Sequence, residues 1–132
     1  MKLRLVFILN AIVALIFAAG LLLSARTMLG LFGISAGTTV TANASLAFVA
    51  QLLGAALTLP GLLGLFAGGM PDAGARRSVA LSLFVFQLVG LAVSLLGMLS
   101  KVMNVTGWAI VALFLIFAAG YAYFLFMQPS EI

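Results

Sequence analysis

Apolar residues form four long runs, separated by short stretches that contain charge, proline or small polar residues. The runs cover residues 5–23, 46–70, 79–99 and 108–126. A helix needs about 20 mainly apolar residues to cross the hydrocarbon core of a bilayer, and each run is long enough. The pattern therefore predicts an all-α polytopic membrane protein. Its four transmembrane helices are expected to form one antiparallel bundle, a single domain over residues 1–132.

The composition supports this prediction. Hydrophobic residues make up 66% of the chain and charged residues only 6%. An average soluble domain has about 25% charged residues, and a small one buries only about 60–70% of the surface that its unfolded chain exposes. Most of the apolar surface must therefore face lipid. The sequence has no cysteine and no histidine, which excludes disulfides, zinc sites built from these residues and histidine-ligated haem.

The basic residues flank the apolar runs and so indicate the orientation of the chain. Four fall on one side of the membrane and two on the other: Lys2, Arg4, Arg76 and Arg77 against Arg26 and Lys101. Because basic residues are more frequent on the cytoplasmic side, both termini are predicted to be cytoplasmic. The net charge of +4 is scattered between apolar runs, and we therefore predict no nucleic-acid partner.

The segment after the first run has two parts. Residues 26–34 are too apolar for a solvated loop and too short to span, which predicts a short interfacial helix whose apolar side chains enter the lipid: Met28, Leu29, Leu31 and Phe32. Residues 35–43 are small and polar. They are predicted to connect this helix to the second span, and the alternative is that they extend the second transmembrane helix.

Residues 71–77 are predicted to form a short turn between the second and third spans. Pro71 and Gly74 are expected to break the helix there. Asp72 is expected to pair with Arg76.

The runs contain no ionisable side chain apart from tyrosine. Proton-coupled transport and voltage sensing both depend on charged groups inside the membrane, so neither is predicted. Tyr121 and Tyr123 lie near the end of the fourth run and are predicted to anchor it at the interface. The sequence has no catalytic triad, paired carboxylates or phosphate-binding loop, and we predict that the protein is not an enzyme.

Neutral polar residues do occur within the runs: Asn10, Gln51, Thr58, Ser82, Gln87 and Ser94. One interpretation is that they form hydrogen bonds between helices. The other is that Gln51, Thr58 and Gln87 line a pocket for a lipid, quinone or pigment.

Small residues recur at the four-residue spacing that lets transmembrane helices approach closely. The residues predicted to pack helices in this way are Gly61, Gly64, Gly68, Gly90, Ser94, Ala118 and Ala122. Most are expected to serve internal packing, and one or two grooves are left open for a partner protein.

The segments at the ends of the runs resemble a group of small bacterial four-helix membrane proteins. The motifs are Met28-Leu29-Gly30-Leu31-Phe32-Gly33 after the first run, Ala75-Arg76-Arg77 before the third, Asn104 with Gly107-Trp108 at the start of the fourth, and Ala119-Gly120-Tyr121 with Tyr123-Phe124 at its end. That group is of unknown function and loosely similar to DoxX-like proteins. The resemblance implies four spans in a bacterial cytoplasmic membrane, but no activity and no site residues.

The sequence favours a non-catalytic function, as an accessory or structural subunit that packs against a larger membrane protein complex. One alternative is a binding module for a hydrophobic ligand such as a lipid, quinone, carotenoid or chlorophyll. Another is a small oligomeric transporter or facilitator. No cofactor is predicted to be required, although a bound lipid or pigment is compatible with the pattern. The expected partners are membrane lipids and other membrane subunits, and a homo-oligomer remains open.

Overall fold

The computed structural model of the chain describes residues 2–34 and 40–132. These residues form five α-helices and two short helical turns, without β-strands. The α-helices are α1 (Leu3–Leu23), α2 (Ala25–Leu31), α3 (Val40–Ala67), α4 (Ala73–Leu99) and α5 (Gly107–Ala122). A π-helical turn, Tyr123–Met127, continues α5, and a 3₁₀ turn, Pro129–Glu131, follows it.

Four helical segments are long and apolar enough to cross a membrane. They are Leu3–Leu23, Ala44–Ala67, Ala73–Leu99 and Gly107–Met127. Many large apolar side chains lie on the outside of the bundle, such as Ile16 and Phe66 at 63% and 65% exposure, as expected for surfaces that contact lipid. The predicted fold class is confirmed, and the chain is a multi-pass membrane protein.

Helices α3 and α4 each begin six residues before the corresponding apolar run. Helix α3 starts at Val40, so the small polar residues 40–43 extend this helix, as the alternative interpretation proposed. The remaining residues of that segment, 35–39, lie outside the described part of the chain. Helix α4 starts at Ala73, because the Asp72 carboxylate accepts a hydrogen bond from the Ala75 amide at 2.6 Å and caps the helix.

The predicted turn at residues 71–77 was therefore wrong in two respects. Gly74 lies in the first turn of α4 and does not interrupt it. Arg76 turns away from Asp72 and donates to the backbone oxygens of Met70, Pro71 and Ile132. The guanidinium thereby links the α3–α4 turn to the end of the chain.

The four long helices pack as two antiparallel hairpins. Helix α1 packs mainly against α3, and α4 packs mainly against α5, while contacts between the two pairs are fewer. We call α1 with α3 the first hairpin and α4 with α5 the second hairpin. The end of the bundle that contains Arg4, Arg76 and Arg77 is called the arginine end, and the opposite end, which carries α2, is called the α2 end.

Glycines on one face of α3 bring the first hairpin close together. A Cβ atom at Gly61 would lie 2.7 Å from the Leu15 side chain, and one at Gly64 would lie 2.8 Å from the Phe7 carbonyl oxygen. At Gly68 it would lie 3.1 Å from Cγ of Arg4. Gly61 and Gly64 of α3, and Gly68 just after its end, therefore face α1 at close-contact positions.

The second hairpin has a comparable close approach at Gly90. The ring of Phe114 on α5 occupies the space that a Cβ atom at Gly90 would need, and the same ring packs edge-on to Phe86 with centroids 6.2 Å apart. On α5, Ala118 is buried and Ala122 is half-buried. The small residues predicted to pack helices are thus buried or half-buried in the bundle.

Helix α2 packs against the first hairpin more than the sequence indicated. Met28 and Leu29 are half-buried against a cluster formed by Leu21, Ala25 and Ala50. Phe32 stacks on Phe17 of α1, with ring centroids 6.2 Å apart. Of the four side chains expected to enter the lipid, only Leu31 is largely exposed, at 56%. The short helix is present as predicted, but three of its apolar side chains contact protein.

Candidate functional site

Three polar side chains from three different helices meet inside the bundle. They are Asn10 of α1, Gln87 of α4 and Tyr121 of α5, which are only 4%, 2% and 0% exposed. We call them the polar cluster. Since α1 belongs to the first hairpin and the other two helices form the second, the polar cluster lies across the junction between the hairpins.

Asn10 is the central member of the polar cluster. Its Oδ1 atom accepts a hydrogen bond from Nε2 of Gln87 at 2.8 Å, and its Nδ2 atom donates to the Tyr121 hydroxyl at 3.0 Å. A buried amide without partners in hydrocarbon costs several kcal/mol. Both ends of the Asn10 amide are engaged, and in the described part of the chain no buried side-chain nitrogen or oxygen lacks a partner.

Tyr121 is placed differently from the prediction. It was expected to anchor the fourth span at the interface, but it is completely buried, with its ring packed on Phe7 at a centroid distance of 5.7 Å. Its hydroxyl points to Asn10 rather than to water. Tyr123, two residues later, is 39% exposed. The sequence position near a helix end did not distinguish a core tyrosine from an interfacial one.

The predicted pocket of Gln51, Thr58 and Gln87 is not assembled. Gln87 is bonded to Asn10, whereas Gln51 is on the exposed surface of α3. The Thr58 hydroxyl donates to the Ala55 carbonyl of its own helix at 2.6 Å. The three side chains therefore lie in three different environments and do not share a cavity.

The two serines of the third apolar run, Ser82 and Ser94, also bond within their own helix, α4. Ser82 donates to the Ser78 carbonyl at 2.9 Å, and Ser94 donates to the Gly90 carbonyl at 2.7 Å. Neither hydroxyl contributes to the polar cluster. Among the polar residues of the described spans, Gln51 thus differs from the rest, because it carries a polar amide on an exposed helix face.

Chemically, the polar cluster consists of two amides and a phenol in an apolar core. Its neighbours include Phe7, Leu83 and Phe117, which belong to the main buried apolar cluster of the bundle. Such a group can hold helices in register and specify which helices pair. The fold and this cluster together define a multi-pass membrane protein whose interior polar groups satisfy one another.

In comparisons with known proteins, no family model, no curated protein and no solved structure matches the chain.

Proposed function

We propose that the chain is a non-catalytic integral membrane protein that acts as an accessory subunit, packing against another membrane-spanning protein through the outer face of α3. The observation that carries the proposal is the exposed amide of Gln51 within a membrane span. The other two side-chain amides of the described spans, Asn10 and Gln87, bond to each other inside the bundle. Gln51 is the one that faces outward.

The depth of Gln51 makes its exposure costly in lipid. It lies seven residues inside the membrane segment Ala44–Ala67, which places it about 10 Å along the helix from the nearer end. At that depth the side-chain amide is surrounded by hydrocarbon unless another molecule covers it. A polar group on a neighbouring transmembrane helix would satisfy the amide.

The surroundings of Gln51 suit a partner helix. Exposed residues at helical spacing run along α3 in a stripe that we call the Gln51 face: Ala44, Phe48, Gln51, Ala55, Leu59, Leu62 and Phe66. The small side chain of Ala55 follows Gln51 by one turn, which leaves space for another backbone to approach the amide. The Gln51 face therefore combines an apolar stripe with one specific polar contact.

Helix α3, which carries the Gln51 face, is also less buried within the chain than α1, the other helix of the first hairpin. In the most apolar part of α3, 22% of the residues are buried, against 39% in α1. Helix α4 is likewise buried to 22%. Much of the surface of these two helices is left for lipid or for other proteins.

Replacing Gln51 with leucine is expected to release the partner without unfolding the chain. Leucine is an apolar side chain of similar size that removes the polar contact, so the loss is confined to association. The test is to purify wild type and variant from native membranes in mild detergent and to compare the stoichiometric partners by native gel and mass spectrometry.

The matched control is Ser82→Ala, which also removes a polar group from an exposed position in a span. Because the Ser82 hydroxyl bonds to its own helix, its removal leaves no polar group of a partner unpaired. The control should retain every partner. The proposal fails if Gln51→Leu retains the same partners as wild type. A purified species that contains only two copies of this chain would show that the partner is a second copy and not a different protein. A single copy carrying a lipid, quinone or pigment would support the ligand-binding alternative.

For the location, we propose a bacterial cytoplasmic membrane with both termini on the cytoplasmic side. The support is the charge distribution of four basic residues at the arginine end against two at the α2 end, together with the DoxX-like resemblance of the flanking segments. A partner that contacts the Gln51 face would then be another protein of the same membrane.

Single cysteines test this orientation directly, because the chain has none of its own. Ser100→Cys at the α2 end should react with a membrane-impermeant maleimide in intact cells. Ser130→Cys at the arginine end should react only after permeabilisation. Both positions are exposed, so the reactivity reports the side of the membrane. The reverse pattern would place the termini outside.

A further inference from the structure

A cavity of about 310 Å³ lies at the arginine end. It is lined by the start of α1, the residue that follows α3, the start of α4 and the last residues of the chain. We call it the basic cavity, because three of the residues that line it are Lys2, Arg4 and Arg76. Lys2 precedes α1, Arg4 lies in α1 and Arg76 lies in α4. The fold brings these three cations together.

Backbone groups position the Arg76 guanidinium, and a glycine accommodates the stem of Arg4. Arg76 is half-buried and donates to the backbone oxygens of Pro71 at 3.0 Å and Ile132 at 2.6 Å, as well as to Met70. The Arg4 stem crosses α3 at Gly68, where an added Cβ atom would lie 3.1 Å from Arg4 Cγ. The absence of a side chain at Gly68 thus lets Arg4 lie against α3 at the edge of the cavity.

The start of α1 adds to the positive potential. Lys2 is the N-cap residue of α1 and has no side-chain capping bond, and the first turn of this 21-residue helix contains no acidic residue. The first backbone N–H groups of a helix carry a partial positive charge and favour anions. The helix N-terminus and the basic side chains therefore both make the electrostatic potential at the start of α1 positive.

One carboxylate opposes them. Among the side chains that line the basic cavity, three are cationic and one, that of Glu131, is anionic. Ile132, whose oxygen accepts from Arg76, also lines the cavity. The buried side chains of Leu3 and Phe7 also line the cavity. The basic cavity thus combines cationic and apolar side chains.

We propose that the basic cavity binds the phosphate group of an anionic phospholipid in the adjacent leaflet. It lies where α1 and α4 begin and α3 ends, which is the level at which lipid phosphates are found. Basic pockets between transmembrane helices are suited to such headgroups. Next to Arg4, an exposed apolar stripe runs down α1 through Leu5, Leu9, Ile12 and Ile16, and an acyl chain can lie along it. This inference rests on different residues from the proposed function and does not depend on it.

The test measures binding of single lipids to the purified chain by native mass spectrometry in mild detergent. Wild type should bind one phosphatidylglycerol more tightly than phosphatidylcholine with the same acyl chains. Lys2→Gln and Arg4→Gln should each weaken phosphatidylglycerol binding by about fivefold, the effect of one basic residue near a lipid headgroup. Glu131→Gln should strengthen it by about the same factor.

Arg77→Gln is the matched control, because Arg77 is exposed at the same end of the bundle but does not line the basic cavity. It removes the same charge and should leave the affinity within twofold of wild type. Lys2→Gln keeps the test valid if Arg4→Gln disturbs the packing on Gly68. The proposal is overturned if Arg77→Gln weakens binding as much as Lys2→Gln and Arg4→Gln do, or if phosphatidylcholine binds equally well. Binding of inorganic phosphate alone, with the same dependence on Arg4, would overturn the assignment to lipid.

Discussion

Replacing Asn10 with alanine should lower the free energy of unfolding by about 2–4 kcal/mol. The variant loses two buried hydrogen bonds and leaves a cavity where the side chain was. Asn10 accepts from Gln87 and donates to Tyr121, so its removal leaves both partners unpaired in the core. The unfolding transition can be followed by titrating sodium dodecyl sulfate into mild-detergent micelles and recording helicity by circular dichroism.

Tyr121→Phe provides the comparison for Asn10→Ala. It removes one hydroxyl and leaves the bond between Gln87 and Asn10 in place, so its cost should be about 1 kcal/mol. In the double variant the two losses should be less than additive, because the Tyr121 hydroxyl has already lost its donor. If Asn10→Ala were no more destabilising than Tyr121→Phe, the polar cluster would not join the hairpins.

Gly64→Leu should destabilise the first hairpin by about 3 kcal/mol, the upper end of the cost of overpacking. A Cβ atom at this position lies 2.8 Å from the carbonyl oxygen of Phe7 and 3.2 Å from Cβ of Ala11. The nearest obstacle is backbone, which cannot rotate out of the way, so α1 and α3 must separate. The same detergent titration measures the loss.

Two other glycines show whether close packing is the cause. Gly61→Leu should cost less than Gly64→Leu, since the nearest contact of Gly61 is the flexible side chain of Leu15. Gly30→Leu should change stability by no more than about 0.5 kcal/mol, because nothing lies within 4 Å of a Cβ atom at Gly30. Equal effects at Gly64 and Gly30 would mean that the leucine side chain, and not the helix contact, is responsible.

The sequence predicts the number of spans because the apolar runs are separated by groups that lipid excludes. The sequence predicts the ends of the helices less well, because local capping determines where a helix begins. Asp72 shows this: its carboxylate starts α4 six residues before the apolar run begins. In the same way α3 takes in residues 40–43, although their composition is that of a connecting segment.

The polar cluster could be predicted only in part. Asn10 and Gln87 stand out in the sequence as amides within apolar runs, but they are 77 residues apart, and Tyr121 is 111 residues from Asn10. No local pattern specifies which of several amides will meet. The choice between Gln51 and Gln87 as inward-facing residues depends on the rotation of α3 and α4 in the bundle, which is set by contacts such as Gly64 on Phe7.

The division into two hairpins has a consequence for how the chain is made. The first hairpin is complete by Ala67, so it can close in the membrane while the ribosome is still synthesising the second. During that interval Asn10 has neither of its partners, because Gln87 and Tyr121 have not yet entered the bilayer. A truncated chain that ends after α3 would keep an unsatisfied amide within the hydrocarbon, at a cost of several kcal/mol. Arrival of the second hairpin conceals it, and Asn10 thereby distinguishes a finished molecule from an unfinished one.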